Sequence, residues 1–332
     1  MRNDLEIGDW WALPPGPTNS ICDVEGVVVG QVTLDDGPIQ TGVTAIIPQD
    51  GNLFRDPVPA GAVVLNGFGK SAGLIQMQEL GEIETPILLT NTFGIAAGTE
   101  ALIRHAIAAN PGIGRTTSTV NPVVLECNDG RVNDIQALAV TPDDARRAIA
   151  DAKSGDVVQG TVGAGRGMQT FGLPGGIGTA SRVVKEFTLA ALVLSNFGRR
   201  SELRVLGRKV PLDGADQADK GSVIVVYATD APLDSRQLTR VARRAAAGLG
   251  RLGSHIGNGS GDIAIAFSSV RPRRLETGRL ITERLDDNAL DPFFLAATET
   301  VEEAVLNAMW FADPLPARDG KPAPTLRDIM KG

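Results

Sequence analysis

The sequence predicts a layered α/β protein, and two observations carry that prediction. Segments typical of strands are mixed with segments of helical spacing along all 332 residues. Three apolar runs, Phe187–Ser195, Ser222–Tyr227 and Asp262–Phe267, are too continuous for strands with one face in water. Runs of this kind are typical of strands covered on both faces, so we expect sheets enclosed between other layers.

The first third of the chain contributes an arm, five strands and a helix. Residues 1–20 are rich in Trp and Pro, and the run Pro14–Pro17 is incompatible with a helix or a central strand. We expect an extended arm there, docked on a neighbouring subunit. Strands are predicted at Val27–Val32, Val43–Ile47, Ala62–Leu65, Pro86–Thr90 and Val120–Cys127, and a helix at Gly98–Asn110.

Three further helices are predicted. Thr141 is the expected N-cap of a helix running to Lys153, with Pro at its first position and acids near the positive end of its dipole. A second helix, over residues 234–249, carries apolar side chains at helical spacing. Thr300–Glu303 has the form of a capping box ahead of a helical run at Ala304–Phe311. Residues 313–332 are expected to form a tail.

Composition and charge narrow the class of function. The net charge of −7 and the pI near 5.0 oppose nucleic-acid binding, because neutralising phosphates needs an excess of clustered Lys and Arg. We therefore take the basic face of the 234–249 helix as solvated. The N-terminus lacks the apolar core of a signal peptide, and no apolar run reaches the roughly 18 residues of a membrane helix. A cytoplasmic protein with no membrane partner is expected.

Cysteine and histidine are scarce. Cys22 and Cys127 are the only cysteines, and His105 and His255 are the only histidines. Their spacing fits neither a metal site nor a disulfide framework, so no metal and no cofactor are expected. Two histidines also make a Ser-His-Asp triad hard to assemble. Any catalytic base is expected to be another kind of group.

One glycine-rich segment, Val162–Gly167, superficially resembles a phosphate-binding loop. Val162–Gly167 lacks the full G-x-G-x-x-G pattern, and no clear helix begins there. We expect this segment and Gly175–Gly178 to be tight turns that allow close backbone approach. A nucleotide-dependent oxidoreductase would rest on these glycines alone.

The most informative segment is the turn Asn258–Asp262, which runs directly into a buried strand. It places Ser260 at the mouth of that strand, on a rigid scaffold. Gly259 has no Cβ, so the backbone before the serine can adopt conformations closed to other residues. Self-cleavage at Gly259–Ser260 would require such a turn.

Seven segments, taken together and in order, resemble the L-aminopeptidase/D-esterase and β-aminopeptidase family, peptidases that mature by cutting their own chain. They are Asn19–Val27, Thr41–Ala45, Leu65–Lys70, Glu84–Thr92, Val120–Gly130, Gly172–Arg182 and Ser195–Arg200. The resemblance implies a single four-layer αββα sandwich over residues 1–332, similar to N-terminal-nucleophile (Ntn) hydrolases. It implies cleavage into an α-subunit, 1–259, and a β-subunit, 260–332. It also implies a homotetramer or larger assembly of processed pairs.

The same resemblance assigns the chemistry. Ser260 would be the nucleophile, and its freed amine, with a reference pKa of about 8, can serve as the base. Asn196, in a Ser-Asn-Phe-Gly turn, is the candidate donor to the oxyanion, or else it only caps the strand turn. Thr300 and Glu302 correspond to the family's Ser-x-Glu pattern, with threonine in place of serine. Glu302 would orient Ser260, or else be a solvated helix acid.

Substrate binding is assigned in the same way. Glu126 is the candidate partner for the substrate ammonium, or else a structurally paired carboxylate, and Asn128 is a second polar contact. The leading function is a self-processing serine aminopeptidase or amidase that releases N-terminal residues from short peptides, amino-acid amides or esters. Alternatives are an amidase of linear ω-amino-acid oligomers, whose relatives usually use threonine, and a non-catalytic small-molecule binding protein on the same scaffold.

Overall fold

Two stacked β-sheets form the centre of the molecule. The computed structural model describes residues 1, 10–212, 221–275, 277–315 and 323–331. Its strands are β1 Val28–Leu34, β2 Thr41–Ile47, β3 Val58–Gly67, β4 Glu82–Ile83, β5 Ile87–Asn91, β6 Val123–Cys127, β7 Gln169–Thr170, β8 Leu173–Pro174, β9 Gly176–Val184, β10 Phe187–Asn196, β11 Arg204–Val205, β12 Arg208–Lys209, β13 Ser222–Thr229, β14 Gly261–Ser268, β15 Arg273–Arg274 and β16 Leu280–Ile281.

One sheet has four strands, in the order β1-β2-β5-β6, and the other has six, in the order β4-β3-β14-β13-β10-β9. The pairs β5–β6 and β13–β14 are parallel, and the other neighbours are antiparallel. Apolar side chains of both sheets, such as Leu125 and Ile265, meet in one buried cluster. The sheets therefore pack face to face.

Helices cover the outer face of each sheet. They are α1 Leu74–Leu80, α2 Ile95–Ala109, α3 Pro142–Ala150, α4 Ser235–Ala242, α5 Ala245–Arg251, α6 Asp291–Trp310 and α7 Leu326–Lys331. The helices α2 and α3 pack on the four-stranded sheet, α4 and α6 pack on the six-stranded sheet, and α5 packs against α6. The predicted four-layer αββα sandwich is confirmed.

The expected doubly covered strands are also confirmed. Every residue of β13 and β14 is buried, because the second sheet lies on one side of them and the helical layer on the other. The capped helix is confirmed as α3, where Thr141 and Asp144 form a capping box. The helix expected over residues 234–249 divides into α4 and α5.

Two predictions about the second half of the chain were wrong. The segment Gly175–Gly178 is not simply a turn, because β9 begins at Gly176. A Cβ on Gly178 would stand only 1.9 Å from the carbonyl oxygen of Ala304, so the glycine is there to let α6 lie against β9. The capping box at Thr300 was the second error, because α6 begins at Asp291. Thr300 lies in mid-helix, and its hydroxyl donates to the carbonyl of Ala296 at 2.8 Å.

Residues 10–20 of the predicted N-terminal arm contact their own chain, while residues 2–9 lie outside the described residues. Trp11 is buried, and its indole N–H donates to Glu302 at 3.1 Å. The amide of Ala12 donates to Glu299 at 2.8 Å. Near the other terminus, α7 forms part of the expected tail, while residues 316–322 and 332 lie outside the described residues.

Candidate active site

Ser260 lies immediately before the central strand of the larger sheet. The next residue, Gly261, pairs with Ser222 of β13 on one side and with Gly67 of β3 on the other. The Ser260 side chain is fully buried. The fold therefore fixes this hydroxyl at the start of β14, at the edge of the sheet that is formed by strand ends and not by an outer strand.

Backbone groups before Ser260 are tied down by one side-chain amide. The Nδ2 of Asn66 donates to the carbonyls of Gly257 and Asn258, each at 3.2 Å, and also to the carbonyl of Ser260. The Ser260 amide itself donates to Gly257 at 3.0 Å. Sequence reasoning gave Asn66 no role, although it lies in Leu65–Lys70, one of the segments that carry the resemblance. The structure shows that it holds the irregular turn that contains Gly259.

A carboxylate that sequence reasoning missed, Asp262, accepts a hydrogen bond from the serine hydroxyl. Ser260 Oγ donates to Asp262 Oδ1 at 2.6 Å, and the amide of Val223 donates to the same oxygen at 3.2 Å. Residues two apart in a strand point to the same side, which is how Asp262 reaches Ser260. The sequence places Asp262 two residues after Ser260, but the spacing alone does not show that the two side chains meet.

Glu126 approaches the same edge from the other sheet. It is only 2 % exposed, and it accepts hydrogen bonds from the Lys70 amide at 2.8 Å and from the Thr92 hydroxyl. The position that a Cβ on Gly69 would occupy is 3.6 Å from Glu126 Oε1 and 3.7 Å from the Cα of Gly261. Glu126 and the Ser260–Gly261 segment thus lie on either side of one glycine, where the two sheets open.

Asn196 and Asn128 lie beside a cavity along this edge. Asn196 is in register with Ser222, which neighbours Gly261, so its Cα is two strand spacings, roughly 10 Å, from Gly261. Its Nδ2 donates to the Asn128 carbonyl and its Oδ1 accepts from the Gln169 amide, each at 2.9 Å. The cavity has a volume of about 330 Å³ and is lined by Asn128, Gly130, Arg131, Ile135, Asn196 and Gly221.

Among the described residues, no hydrogen bond joins Ser260 to Thr300 or Glu302. The Thr300 hydroxyl bonds only to backbone carbonyls of its own helix. Glu302 accepts hydrogen bonds from the indoles of Trp10 and Trp11 and from Arg251. Their contacts give no support to the catalytic roles predicted for them. Sequence pattern could not reveal this, because the partners of Glu302 lie far away along the chain.

The states of the two cysteines and two histidines favour the serine hydroxyl, and not a thiol or an imidazole, as the reactive group at this edge. Burial raises the pKa of the Cys127 thiol well above its usual value, with the nearby Glu126 adding to it, so the thiol stays protonated. Burial likewise raises the pKa of Cys22 to about 11. Neither histidine contacts the serine, since His255 pairs with Glu202 at 3.0 Å and His105 lies in α2 of an outer layer.

Asp129 adds an unusual group next to Asn128. It is fully buried, and burial raises its pKa to about 6, although the side-chain amide of Asn133 donates to its Oδ1 at 3.1 Å.

In the described ranges, no cluster of three or more His, Cys, Asp or Glu is placed to hold a metal ion. No described helix has the length and apolar content to cross a bilayer.

Comparison with known proteins shows what this chain is similar to. The model of Peptidase family S58 matches residues 19–323. A β-peptidyl aminopeptidase of Sphingosinicella microcystinivorans is 39 % identical, with 98 % of this chain and 91 % of that protein covered. A second β-peptidyl aminopeptidase, from Sphingosinicella xenopeptidilytica, is 35 % identical over 96 % of this chain and 88 % of its own.

Solved structures agree over nearly the whole length. A Burkholderia β-aminopeptidase superimposes with a TM-score of 0.87 and 36 % identity, covering 96 % of this chain and 94 % of its own. The L-aminopeptidase D-Ala-esterase/amidase of Ochrobactrum anthropi superimposes with a TM-score of 0.84 and 40 % identity, covering 91 % and 90 %. That structure is described as a prototype of the serine aminopeptidases and a variant of the Ntn-hydrolase fold.

Proposed function

The chain belongs to peptidase family S58 and is an aminopeptidase-type hydrolase, and from that premise we propose that Ser260 is its nucleophile, exposed by self-cleavage of Gly259–Ser260. The observation that carries the proposal is the placement of a buried serine in a constrained turn at the start of a central strand. The substrates would be short peptides, amino-acid amides or esters, from which N-terminal residues are released. The relatives are named as an aminopeptidase and as an aminopeptidase with esterase and amidase activity, which supports this class of substrate.

The freed amine of Ser260 supplies the base for turnover. A free α-amine has a pKa of about 8, so roughly a tenth of it is neutral at pH 7 and able to accept a proton. The amine belongs to the same residue as the hydroxyl, and no histidine contacts that hydroxyl among the described residues. Before cleavage the same nitrogen is a peptide N–H that donates to Gly257. The uncut precursor should therefore not turn over substrate.

Substrate would enter along the edge where the sheets open. The cavity beside Asn196 gives it room, and the second amide hydrogen of Asn196, which has no partner within the described ranges, is available to an oxyanion. Glu126, already held by Lys70 and Thr92, is the carboxylate for the substrate ammonium. Thr300 and Glu302 have no part in this proposal, because their bonds lie within α6 and with the arm.

Intact-mass measurement and N-terminal sequencing of the purified protein test the proposal. The expected result is two fragments, with one new amino terminus at Ser260. Ser260→Ala is expected to give one uncut chain without measurable amidase activity, because it lacks both the attacking hydroxyl and, after folding, a freed amine.

The matched control is Ser269→Ala, which removes a serine hydroxyl just beyond the far end of β14 and is expected to be cut and active. If Ser260→Ala divides at the same bond, an external protease makes the cut and the proposal fails. An uncut but fully active wild-type chain would contradict it as well.

Assembly and location extend the proposal. We propose a homotetramer of processed pairs in the cytoplasm. Support for assembly comes from large apolar side chains left exposed on this chain, of which Ile75 at 87 % and Leu80 at 58 % are both on α1. Light scattering of the purified protein would show a mass of one chain if the proposed assembly is wrong.

A further inference from the structure

Self-cleavage needs a proton acceptor that turnover does not. In the precursor, the nitrogen that later acts as the base is still an amide, and its hydrogen is donated to Gly257 at 3.0 Å. An amide nitrogen in that state cannot take the hydroxyl proton. The first reaction of this site must therefore use a different base from all the later ones.

Asp262 is placed to be that base. Its Oδ1 accepts the Ser260 hydroxyl at 2.6 Å, and both side chains are almost fully buried, at 1 % and 0 % exposed. Within the described part of the chain, it is the only carboxylate hydrogen-bonded to Ser260. The Val223 amide holds the same oxygen, and Ser222 takes the Gly261 amide at 3.3 Å, so the segment between the two side chains is fixed as well.

We infer that Asp262 is the catalytic base of maturation, a role used once per molecule; the inference rests on the proposed function. As Ser260 Oγ bonds to the carbonyl carbon of Gly259, its proton passes to Asp262 Oδ1 and the carbonyl oxygen takes the negative charge. When that intermediate collapses, the bond from Gly259 to the Ser260 nitrogen breaks, and Asp262 returns the proton to the nitrogen.

The product of this step is an ester between Gly259 and Ser260 Oγ, together with a free amine. One water molecule then opens the ester, giving its hydroxyl to the Gly259 carbonyl and a hydrogen to Oγ. Asp262 ends as it began, and one peptide bond and one water have been consumed. From then on the amine of Ser260 is available as the base.

The test compares the rate of self-cleavage with the activity of the cut enzyme. Asp262→Asn keeps the shape and an oxygen that can accept from Ser260 and Val223, but it lacks a basic carboxylate. Full-length chains are pulse-labelled in cell-free translation, and the fragments are followed on denaturing gels. Cleavage is expected to slow about 10²- to 10⁴-fold, the range typical of a general base. Amidase activity per cleaved molecule is expected to fall less than about tenfold, since the amine then does that work.

One control variant and one folding measurement separate the possible outcomes. Asp230→Asn removes a carboxylate that holds the Thr188 amide after the far end of β13, and should be cut normally. Thermal unfolding of each variant reports whether it has folded.

The result that overturns the inference is cleavage of folded Asp262→Asn at the wild-type rate. Equal losses in cleavage and in activity per cut molecule would also overturn it, because Asp262 would then serve both reactions alike. Cleavage of Ser260→Ala in the same assay would instead overturn the proposed function itself. The two failures are therefore distinguishable.

Discussion

At the scale of a single residue, Glu126 is both buried and only partly satisfied by hydrogen bonds. Its carboxylate is nearly closed to water, yet it is held by the Lys70 amide and the Thr92 hydroxyl. Two hydrogen bonds leave acceptor capacity on a group that can form about four. A buried carboxylate with spare acceptors beside the Ser260–Gly261 segment suits the proposed role of Glu126 in binding the substrate ammonium.

Glu126→Gln tests this arrangement. Gln keeps an oxygen for Lys70 but loses the negative charge, and a hydrogen bond to a charged group contributes about 1.5–3 kcal/mol. KM for an amino-acid p-nitroanilide is therefore expected to rise about 10- to 100-fold, with kcat changed much less. Glu100→Gln, which removes an exposed carboxylate on α2, controls for net charge. An unchanged KM in Glu126→Gln would place the ammonium elsewhere.

Sequence reasoning singled out Ser260 but not all of its neighbours. Ser260 was evident because its turn meets an apolar strand directly. Asp262 stood in the same turn, but nothing in the one-dimensional pattern says that its side chain meets the hydroxyl. The alternative of a solvated Glu302 was wrong, because the N-terminal arm covers this acid, and sequence pattern does not separate a buried acid from a solvated one.

At the scale of elements, local pattern predicted the strands whose neighbours cover both faces. It failed where tertiary packing overrode local preference. β9 begins with glycines, which are poor strand formers, yet its glycine at 178 makes room for the backbone of α6. The first half of α6 was missed because Thr300–Glu303 has the form of a capping box, which indicates the start of a helix. The acids Glu299 and Glu303 are buried in mid-helix against Arg182, at 2.9 and 2.7 Å.

Gly178→Ala tests this contact between β9 and α6. The new methyl carbon would lie 1.9 Å from the Ala304 carbonyl, a backbone atom that cannot move without displacing the helix. Unfolding in urea is expected to show a loss of about 2–4 kcal/mol. Gly250→Ala is the matched control, because nothing lies within 4 Å of its added carbon in α5, and it is expected to be neutral or stabilising by up to about 1 kcal/mol. Equal effects of the two substitutions would contradict the close approach.

At the scale of the whole molecule, the proposed cut divides one core between two chains. The segment after Ser260 supplies β14, which is buried throughout and bonded to β13 on one side and β3 on the other. It also supplies α6, which packs on β9 and β10 and holds the N-terminal arm. The cut itself lies at the sheet edge and breaks neither element. One peptide bond can therefore open without removing any of the contacts that join residues 260–332 to the rest.

The two fragments are accordingly expected to stay together after cleavage. Burial of side chains such as Ile265 and Phe267 contributes about 1.5–3 kcal/mol each. The free energy lost by exposing this apolar surface would therefore exceed the free energy gained from the translational and rotational entropy of two separate fragments. Gel filtration in native buffer should show one peak containing both fragments, at the elution volume of uncut Ser260→Ala, and only denaturant should release residues 260–332. β14 lies between β13 and β3, so it cannot leave the sheet without breaking the hydrogen bonds to both neighbours. Loss of residues 260–332 under native conditions would therefore contradict this expectation. It would also contradict the prediction that residues 1–332 form a single domain.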